Sequence, residues 1–390
     1  MQLYFDNAAT SFPKPDVVLD AVAEYQKLCG ASPGRGAYQT ANDATETLDQ
    51  CRELLCKLVN ASSAKHCIFT LNCTDALNLA ITGIATHFVS MNKPVHIVTS
   101  SMDHNSVLRP LHALASLGVT HTIVSADSET GLIDPIKIKN AITPDTRLVA
   151  IAHGSNVTGT VQDIETIGAY CKNIPFLVDA AQTMGHTHID VRTMNIDLLA
   201  FPGHKGLLGP LGTGGLIMKP GIEEQVTPIR TGGTGSESEH PIQPMALPDK
   251  YEVGSHNMIG IAGLVASLRW ILDRGVSSFH ETQKSLCEQF INEIKTIRGV
   301  RIVGPSTTNH RCSVFSLSFD DEPNEIAKRL EEVSGVCVRA GLHCSPLAHE
   351  TMGTDTLGGT VRVSFGPFHT SNDIAHLVQA IANATERVLS

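Results

Sequence analysis

In the stretch LLAFPGHKGLLGPLGTGGL, residues 198–216, one lysine stands between an apolar run and a glycine-crowded one. Lys205 follows His204 and is hemmed by Gly203 and Gly206, a setting foreign to the solvated helix face where lysine usually sits. Either it is an ordinary loop lysine, or it is an amine held out of bulk water. In the second case the ammonium form loses favour and the neutral amine is free to form an imine with a carbonyl compound. The choice depends on which other side chains reach the same place.

From about residue 96 short β-branched runs alternate with longer helical stretches: HIVTSSMDH, HTIVSAD, TRLVAIAHGSN, PFLVDAAQ, DLLAFPGHK and GGLIMK. Fully apolar runs bounded by turn residues and separated by crossover lengths predict a buried, mostly parallel sheet sandwiched by helices, an α/β fold. Ligands bind such sheets at the carboxyl ends of the strands. His104 ends the first run, Asn156 follows the third, Asp179 and Gln182 follow the fourth, and His204 and Lys205 end the fifth. Singly, each has an ordinary reading: an Asp at a strand end caps the next helix, and a His there is a hydrogen-bonded loop residue. Together they suit a pyridine aldehyde phosphate. Asp179 would keep the ring nitrogen protonated so that the ring can accept electrons, His104 would stack on the ring, and Asn156 and Gln182 would reach its hydroxyl.

The phosphate needs donors. HCIFTLNCTDALNLAITGIA reads as a short strand, a turn, and a helix beginning near Cys73 to Asp75. Its first backbone N–H groups and the Thr74 hydroxyl form a dianion site, unless Thr74 or Asp75 is simply an N-cap. His204 can add a charge-assisted bond. A nucleotide P-loop is not indicated, because Lys205 precedes its glycines, and no G-x-G-x-x-G follows the first strand.

The rest of the chain sets bounds. With 390 residues, 42% of them hydrophobic and 17% charged, it can bury one large and one smaller core. A net charge of −10 without long single-sign runs argues against nucleic-acid or membrane-surface partners and favours small molecules. MQLYFDNAAT lacks the form of a secretory signal, and no apolar run reaches the ~18 residues of a membrane span, so a cytoplasmic location is expected. The ten cysteines are scattered without a C-x-x-C pair, so neither a disulfide framework nor a metal site is expected. After residue 260 the texture changes to a long helical stretch, the strand candidates VRIVG, CSVFSLSF, VCVRA and TVRVSF, and a last helix. That pattern predicts a separate α+β domain over 259–390, after a large domain over 15–258 that ends in a long loop at 224–250.

The segments YFDNAATSFPKP, FTLNCTDALNLA, MDHNS, HGSNVTGTVQDI, LVDAAQTMGH, FPGHKGLLGPLGTGGL, YEVGSH, RAGLHCSPLAH and VRVSFG run through most of the chain. Together they resemble the class V aminotransferase superfamily, fold type I pyridoxal phosphate enzymes, and within it the cysteine desulfurases and selenocysteine lyases. The resemblance implies pyridoxal 5'-phosphate as cofactor and Lys205 as its Schiff-base lysine, with Asp179 at the ring nitrogen, His104 on the ring, and Asn156 and Gln182 near its hydroxyl. It implies that Cys73, Thr74 and His204 hold the phosphate together with Ser255 from a second subunit, hence a homodimer. Arg362 would grip the substrate carboxylate beside Asn156. Ala8 and Ala9, in an amino-terminal segment over 1–14 that packs with the small domain and the site, would line the pocket. Three positions depart from the pattern: Pro202 replaces a phosphate-binding Ser or Thr, a loss that His204 or the loop near 232–236 would make good; Tyr38 stands where a histidine is frequent; and Cys73 replaces Ala or Thr.

Cys344 is the remaining reactive candidate. A free cysteine is usually core packing, but this one follows His343 in a Gly- and Pro-bounded loop with Arg339 nearby, and neighbouring cations favour a thiolate. Its position matches the family's catalytic cysteine. The implied reaction is desulfuration of L-cysteine to L-alanine: Lys205 acts as general base, Cys344 takes the sulfur as a persulfide, and His104 moves a proton between the thiols. A sulfur-acceptor protein would follow. The same fold also supports a cysteine or cystine β-lyase, which needs no Cys344, a selenocysteine lyase, or a cofactor-binding scaffold without turnover.

Overall fold

The structure is a computed structural model and describes residues 3–34, 36–236 and 239–386. After a two-residue strand β1 (Leu3–Tyr4), seven strands build the larger sheet: β2 (Cys67–Thr70), β3 (His96–Ser100), β4 (Thr120–Val124), β5 (Thr146–Ala152), β6 (Phe176–Asp179), β7 (Leu198–Pro202) and β8 (Gly214–Met218). Their order is β2-β8-β7-β6-β5-β3-β4. The strands from β3 to β7 run parallel, whereas β8 is antiparallel to both β7 and β2.

Alternation along each strand explains why the sheet is covered on both faces. Val149, Ile151, Val178 and Leu199 join one core, and Leu148, Ala150, Leu177 and Leu198 join the other. Each strand is therefore apolar throughout, as a sheet sandwiched by helices requires. The helix Cys73–Ser90 covers the second core with Leu77, Ala80, Ile81 and Ile84, each buried. Emptying such a site by a Leu-to-Ala change costs roughly 2–5 kcal/mol. The helices Gln39–Val59 and Met258–Arg274 cover the first core.

The long apolar stretch that starts near residue 260 breaks at Gly275, whose φ of 79° lies in the region that favours glycine, and a second helix, Val276–Ile294, follows. Met258, Ile261, Leu264, Leu268 and Ile271 pack into the larger core. In packing terms that core extends to Gly275, and the boundary expected at 259 falls inside it.

The smaller sheet is antiparallel, ordered β12-β13-β10-β9, from β9 (Val300–Val303), β10 (Val314–Phe319), β12 (Arg339–Gly341) and β13 (Thr360–Ser364). Phe290, Phe315 and Phe365 meet edge-on or tilted in its core. VCVRA, expected as one strand, divides: β11 (Val336–Cys337) turns away to pair in parallel with β1, while Arg339–Gly341 stays on β13. β1 and β11 thereby form a two-stranded sheet of their own, and just beyond β1 Asp6 bridges to Ser364 of β13. Arg362 lies in β13, directly across from Arg339.

Candidate active site

Lys205 follows β7 at a corner that only glycine permits. A Cβ on Gly203 would meet Thr213 Oγ1 at 2.1 Å, and one on Gly206 would meet the Met184 carbonyl at 2.3 Å. The backbone of 203–206 therefore presses against the turn after β6, and the lysine points where that turn's residues do. Lys205 is partly exposed to a cleft and otherwise enclosed. Desolvation lowers its pKa, opposed by the Asp179 carboxylate, and Arg362 and Arg339 add to the lowering.

Cys73, His104, Asn156, Asp179, Gln182 and Lys205 are among the walls of one cleft open to solvent. Register explains the gathering: Ala152 of β5 stands opposite Asp179, and Asp179 opposite Ala200 of β7, so consecutive strands deliver their ends side by side. Asp179 is 5% exposed, and its Oδ1 accepts from Ala181 N at 2.9 Å and from Cys73 Sγ at 3.4 Å. Burial and the Asp179 carboxylate hold the Cys73 thiol well above its ordinary range, so it is a protonated donor. His104 N-caps the helix Asn105–Leu114, its Nδ1 accepting from Ser106 N at 3.0 Å. Burial pushes its pKa down to about 4, leaving a neutral ring with its proton on Nε2.

The start of the helix Cys73–Ser90 also lines the cleft. Its cap is Asn72, whose side chain accepts from Asp75 N at 2.9 Å, rather than Thr74 or Asp75. Thr74 is thus not spent on capping; its Oγ1 lies 2.8 Å from Ser106 Oγ. His204 and Pro202 also border the cleft. Burial, with Lys205 and Lys14 nearby, pushes His204 down to about 4, so it enters as a neutral imidazole whose bond to a phosphate would be assisted by the phosphate's charge. Its Nδ1 is 3.1 Å from Thr10 Oγ1, and its carbonyl accepts from Ser11 N and from Lys14 Nζ at 2.8 Å.

Arg362 is 1% exposed. Its Nη2 donates to Asp6 Oδ1 at 2.7 Å and its Nη1 to the Asn156 carbonyl at 3.2 Å, while Nε is buried without a partner. Asn156 Nδ2 donates to the His343 carbonyl at 2.6 Å, and its Oδ1 accepts from Ser345 Oγ at 2.9 Å. The amide expected at a ring hydroxyl therefore also grips the loop that carries Cys344. Cys344 is the one exposed cysteine of the ten. Arg339 Nη2 lies 3.8 Å from its Sγ. The second expected cation is not one: His343 is buried, faces Thr360 Oγ1 at 3.1 Å, and is pushed by burial down to about 2.

Gln182 Nε2 donates to the Ala8 carbonyl at 3.1 Å, and the Ala8 N–H to Ser364 Oγ at 2.8 Å. Ala9 N donates to Asp6 O at 3.0 Å. Gln182, Lys205 and Ala8 border a second space of about 420 Å³ behind the lysine. Ser255 is exposed and does not line the cleft of its own chain; it lies with Thr70, Gly214 and Arg230 around a separate hollow. The loop at 232–236 joins that neighbourhood through a bond from Gly254 N to Gly233 O, so it makes good no loss at Pro202 within its own chain. Tyr38 is 57% exposed and is not part of the cleft wall. Asp6, Lys14, Ser106 and Ser345 were not singled out from sequence; the YFDNAATSFPKP, MDHNS and RAGLHCSPLAH stretches that contain them were.

The residues fit a pyridine aldehyde phosphate: a desolvated amine, a buried carboxylate, a neutral flat imidazole and a helix start border one cleft. The sequence matches the aminotransferase class-V family over residues 3–377. A protein of Methanothermobacter thermautotrophicus named "probable cysteine desulfurase" is 35% identical, with 97% of this chain and 94% of the relative covered. One of Vibrio cholerae with the same name is 31% identical, covering 98% and 94%. Among solved structures, the cysteine desulfurase of Thermococcus onnurineus NA1 superposes with a TM-score of 0.91 at 27% identity, over 99% of this chain and 95% of that one. An Escherichia coli cysteine desulfurase gives 0.86 at 27% identity, over 99% and 95%. With the mostly parallel sheet, the strand-end lysine and near full-length agreement all in hand, the chain belongs to the aminotransferase class-V family.

Proposed function

We propose that the protein is a pyridoxal-phosphate-dependent cysteine desulfurase that moves sulfur from L-cysteine to Cys344 and releases L-alanine. The observation that carries this reading is the tether between Cys344 and the cleft: the one exposed cysteine sits on a loop anchored to Asn156, a wall of the space that also holds Lys205 and Asp179. The relatives' names support the substrate.

Pyridoxal phosphate, when bound, supplies an aldehyde for amino groups and a ring that accepts electrons from the substrate's α-carbon. Lys205 would hold it, Asp179 would face the ring nitrogen, His104 would lie on the ring, and Gln182 and Asn156 would bond its hydroxyl. Cys73, Thr74 and the neutral His204 would hold the phosphate. Arg362 takes the substrate carboxylate; its buried, unpartnered Nε is a donor awaiting an acceptor. Ala8 and Ala9 close the pocket beside it. The neutral amine of Lys205 removes the α-proton. The Cys344 thiolate attacks the substrate sulfur: the S–S bond forms, the C–S bond breaks with its electron pair passing to carbon, and that carbon is protonated to give alanine. His104, which bears its proton on Nε2, would present that N–H to the reacting sulfur as a donor.

Ser255, exposed and outside its own cleft, would complete the phosphate site of a second copy, so the working unit is a homodimer. Delivery of the persulfide sulfur to an acceptor protein would complete the cycle. No helix among the described residues is long and apolar enough to cross a membrane; we place the protein in the cytoplasm on its chemistry. Product analysis of the parent and Cys344→Ala with cysteine, cystine and selenocysteine is the test. Alanine from cysteine is expected from the parent and not from the variant. Sustained turnover of the variant to pyruvate would establish a β-lyase instead. Cofactor binding without product from any of the three would establish a scaffold.

A further inference from the structure

Cys344 stands on backbone that residues with a Cβ enter only under constraint. The φ angles are 50° at His343 and 61° at Cys344, two successive left-handed residues. One side chain from the large sheet spans them. Asn156 holds the residue before Cys344 through Nδ2 and the residue after it through Oδ1. Ser345, the second of these partners, is wholly buried at 0% exposure. From the opposite side Asn105 N donates to the Cys344 carbonyl at 2.9 Å. Cys344 Sγ is therefore exposed on a backbone tied before, at and behind the thiol.

A primary amide has two N–H groups and two lone pairs, so Asn156 can serve this loop and still present one of each to the cleft that it lines. The orientation of that amide is set by whichever group donates to Oδ1, and within the loop that donor is the Ser345 hydroxyl. We propose that Ser345 is a positioning residue for sulfur transfer: by fixing the Asn156 amide it holds Cys344 Sγ where it can meet the substrate sulfur. This rests on the desulfurase reading. The step served is the S–S bond formation and C–S cleavage described above; proton removal by Lys205 does not involve Ser345.

That separation supplies the test. In the cofactor-loaded protein, Ser345→Ala is compared with the parent in two assays: alanine formation from saturating L-cysteine, and exchange of the α-proton of L-alanine with deuterated water, which uses Lys205 and needs no thiol. Loss of one buried hydrogen bond is expected to lower alanine formation roughly five- to tenfold. The KM for cysteine and the exchange rate are expected to stay unchanged, and Ser345→Thr, which keeps the hydroxyl, is expected to recover most of the rate. Unchanged alanine formation overturns the proposal, and so does a parallel fall of both rates, which marks a merely structural role. Asn105→Pro removes the tether from the other side at a helix position that accepts proline, and should show the same split even if Ser345→Ala fails to fold. A parent that forms no alanine overturns the desulfurase reading together with this inference; an active parent beside an unaffected Ser345→Ala overturns this inference alone.

Discussion

Acidification should destabilise the protein through buried imidazoles that include the pair behind the Cys344 loop. His343 and His349 lie with ring centroids 5.5 Å apart behind that loop, and both are buried. His343 Nδ1 and His349 Nε2 have no partner, and the same is true of Nδ1 of the buried His153 beneath the cleft. Burial pushes His349 and His153 down to about 4, and burial with the charge of Arg362 pushes His343 down to about 2. In the unfolded chain each returns to about 6.5. Because the folded values are depressed, the unfolded state binds more protons below that pH. Stability is fully present above about 6.5 and is lost as pH falls toward the folded values. Between pH 7 and pH 5 each imidazole accounts for a loss of about 2 kcal/mol, and the three together for roughly 5 kcal/mol, to which the equally depressed His104, His186 and His204 add. In urea unfolding, at about 3 kcal/mol/M, the first three alone should lower the midpoint by somewhat under 2 M. His349→Gln, which can keep the bond to Thr354, should remove its own share, about 0.6 M. Equal midpoints at the two pH values would refute the reasoning, because they would mean that these rings are already charged or hydrated in the folded protein.

Two further substitutions probe the frame. Glu252 takes both guanidinium nitrogens of Arg52, at 2.9 and 2.7 Å, and also Phe69 N and His256 Nε2, all in the interior. Glu252→Ala strands a buried guanidinium and should cost about 3–5 kcal/mol, read as a lowered thermal transition, while releasing the segment that presents Ser255. Gly206→Ala drives a methyl into the Met184 carbonyl at 2.3 Å and should displace Lys205. A loss of about 1–3 kcal/mol is expected, together with loss of the absorbance band of bound pyridoxal phosphate; normal cofactor binding by this variant would contradict the tight corner.

The large sheet was legible because its strands are buried on both faces and so read as uninterrupted apolar runs, and the strand-end residues followed from that. His104, Asn156, Asp179 and Lys205 border one cleft because parallel strands end together. Asp6 was not legible as a partner of Arg362, nor Ser345 as a partner of Asn156: these contacts span 356 and 189 residues and involve short polar side chains with no periodic signature. The helix cap at Asn72 was missed because three adjacent capping residue types, Asn72, Thr74 and Asp75, compete in sequence, and only backbone geometry chooses among them. Which core Met258–Arg274 enters was not legible, because the helix is apolar around much of its surface. Charge states were the least legible: His343 looks like a cation beside Cys344, and only its burial shows it neutral.

The pairing of Leu3–Tyr4 with Val336–Cys337 has a consequence for how the molecule comes into being. A ribosome adds about 5–20 residues each second, so the opening strand waits tens of seconds for its companion to be made. Over that interval the large sheet can assemble, yet Asp6 has no arginine to meet and the pocket has no wall on that side. A chain stopped short of β11 would carry Lys205 and Asp179 on a folded platform while its first strand dangled, an edge open to any other peptide that offers one.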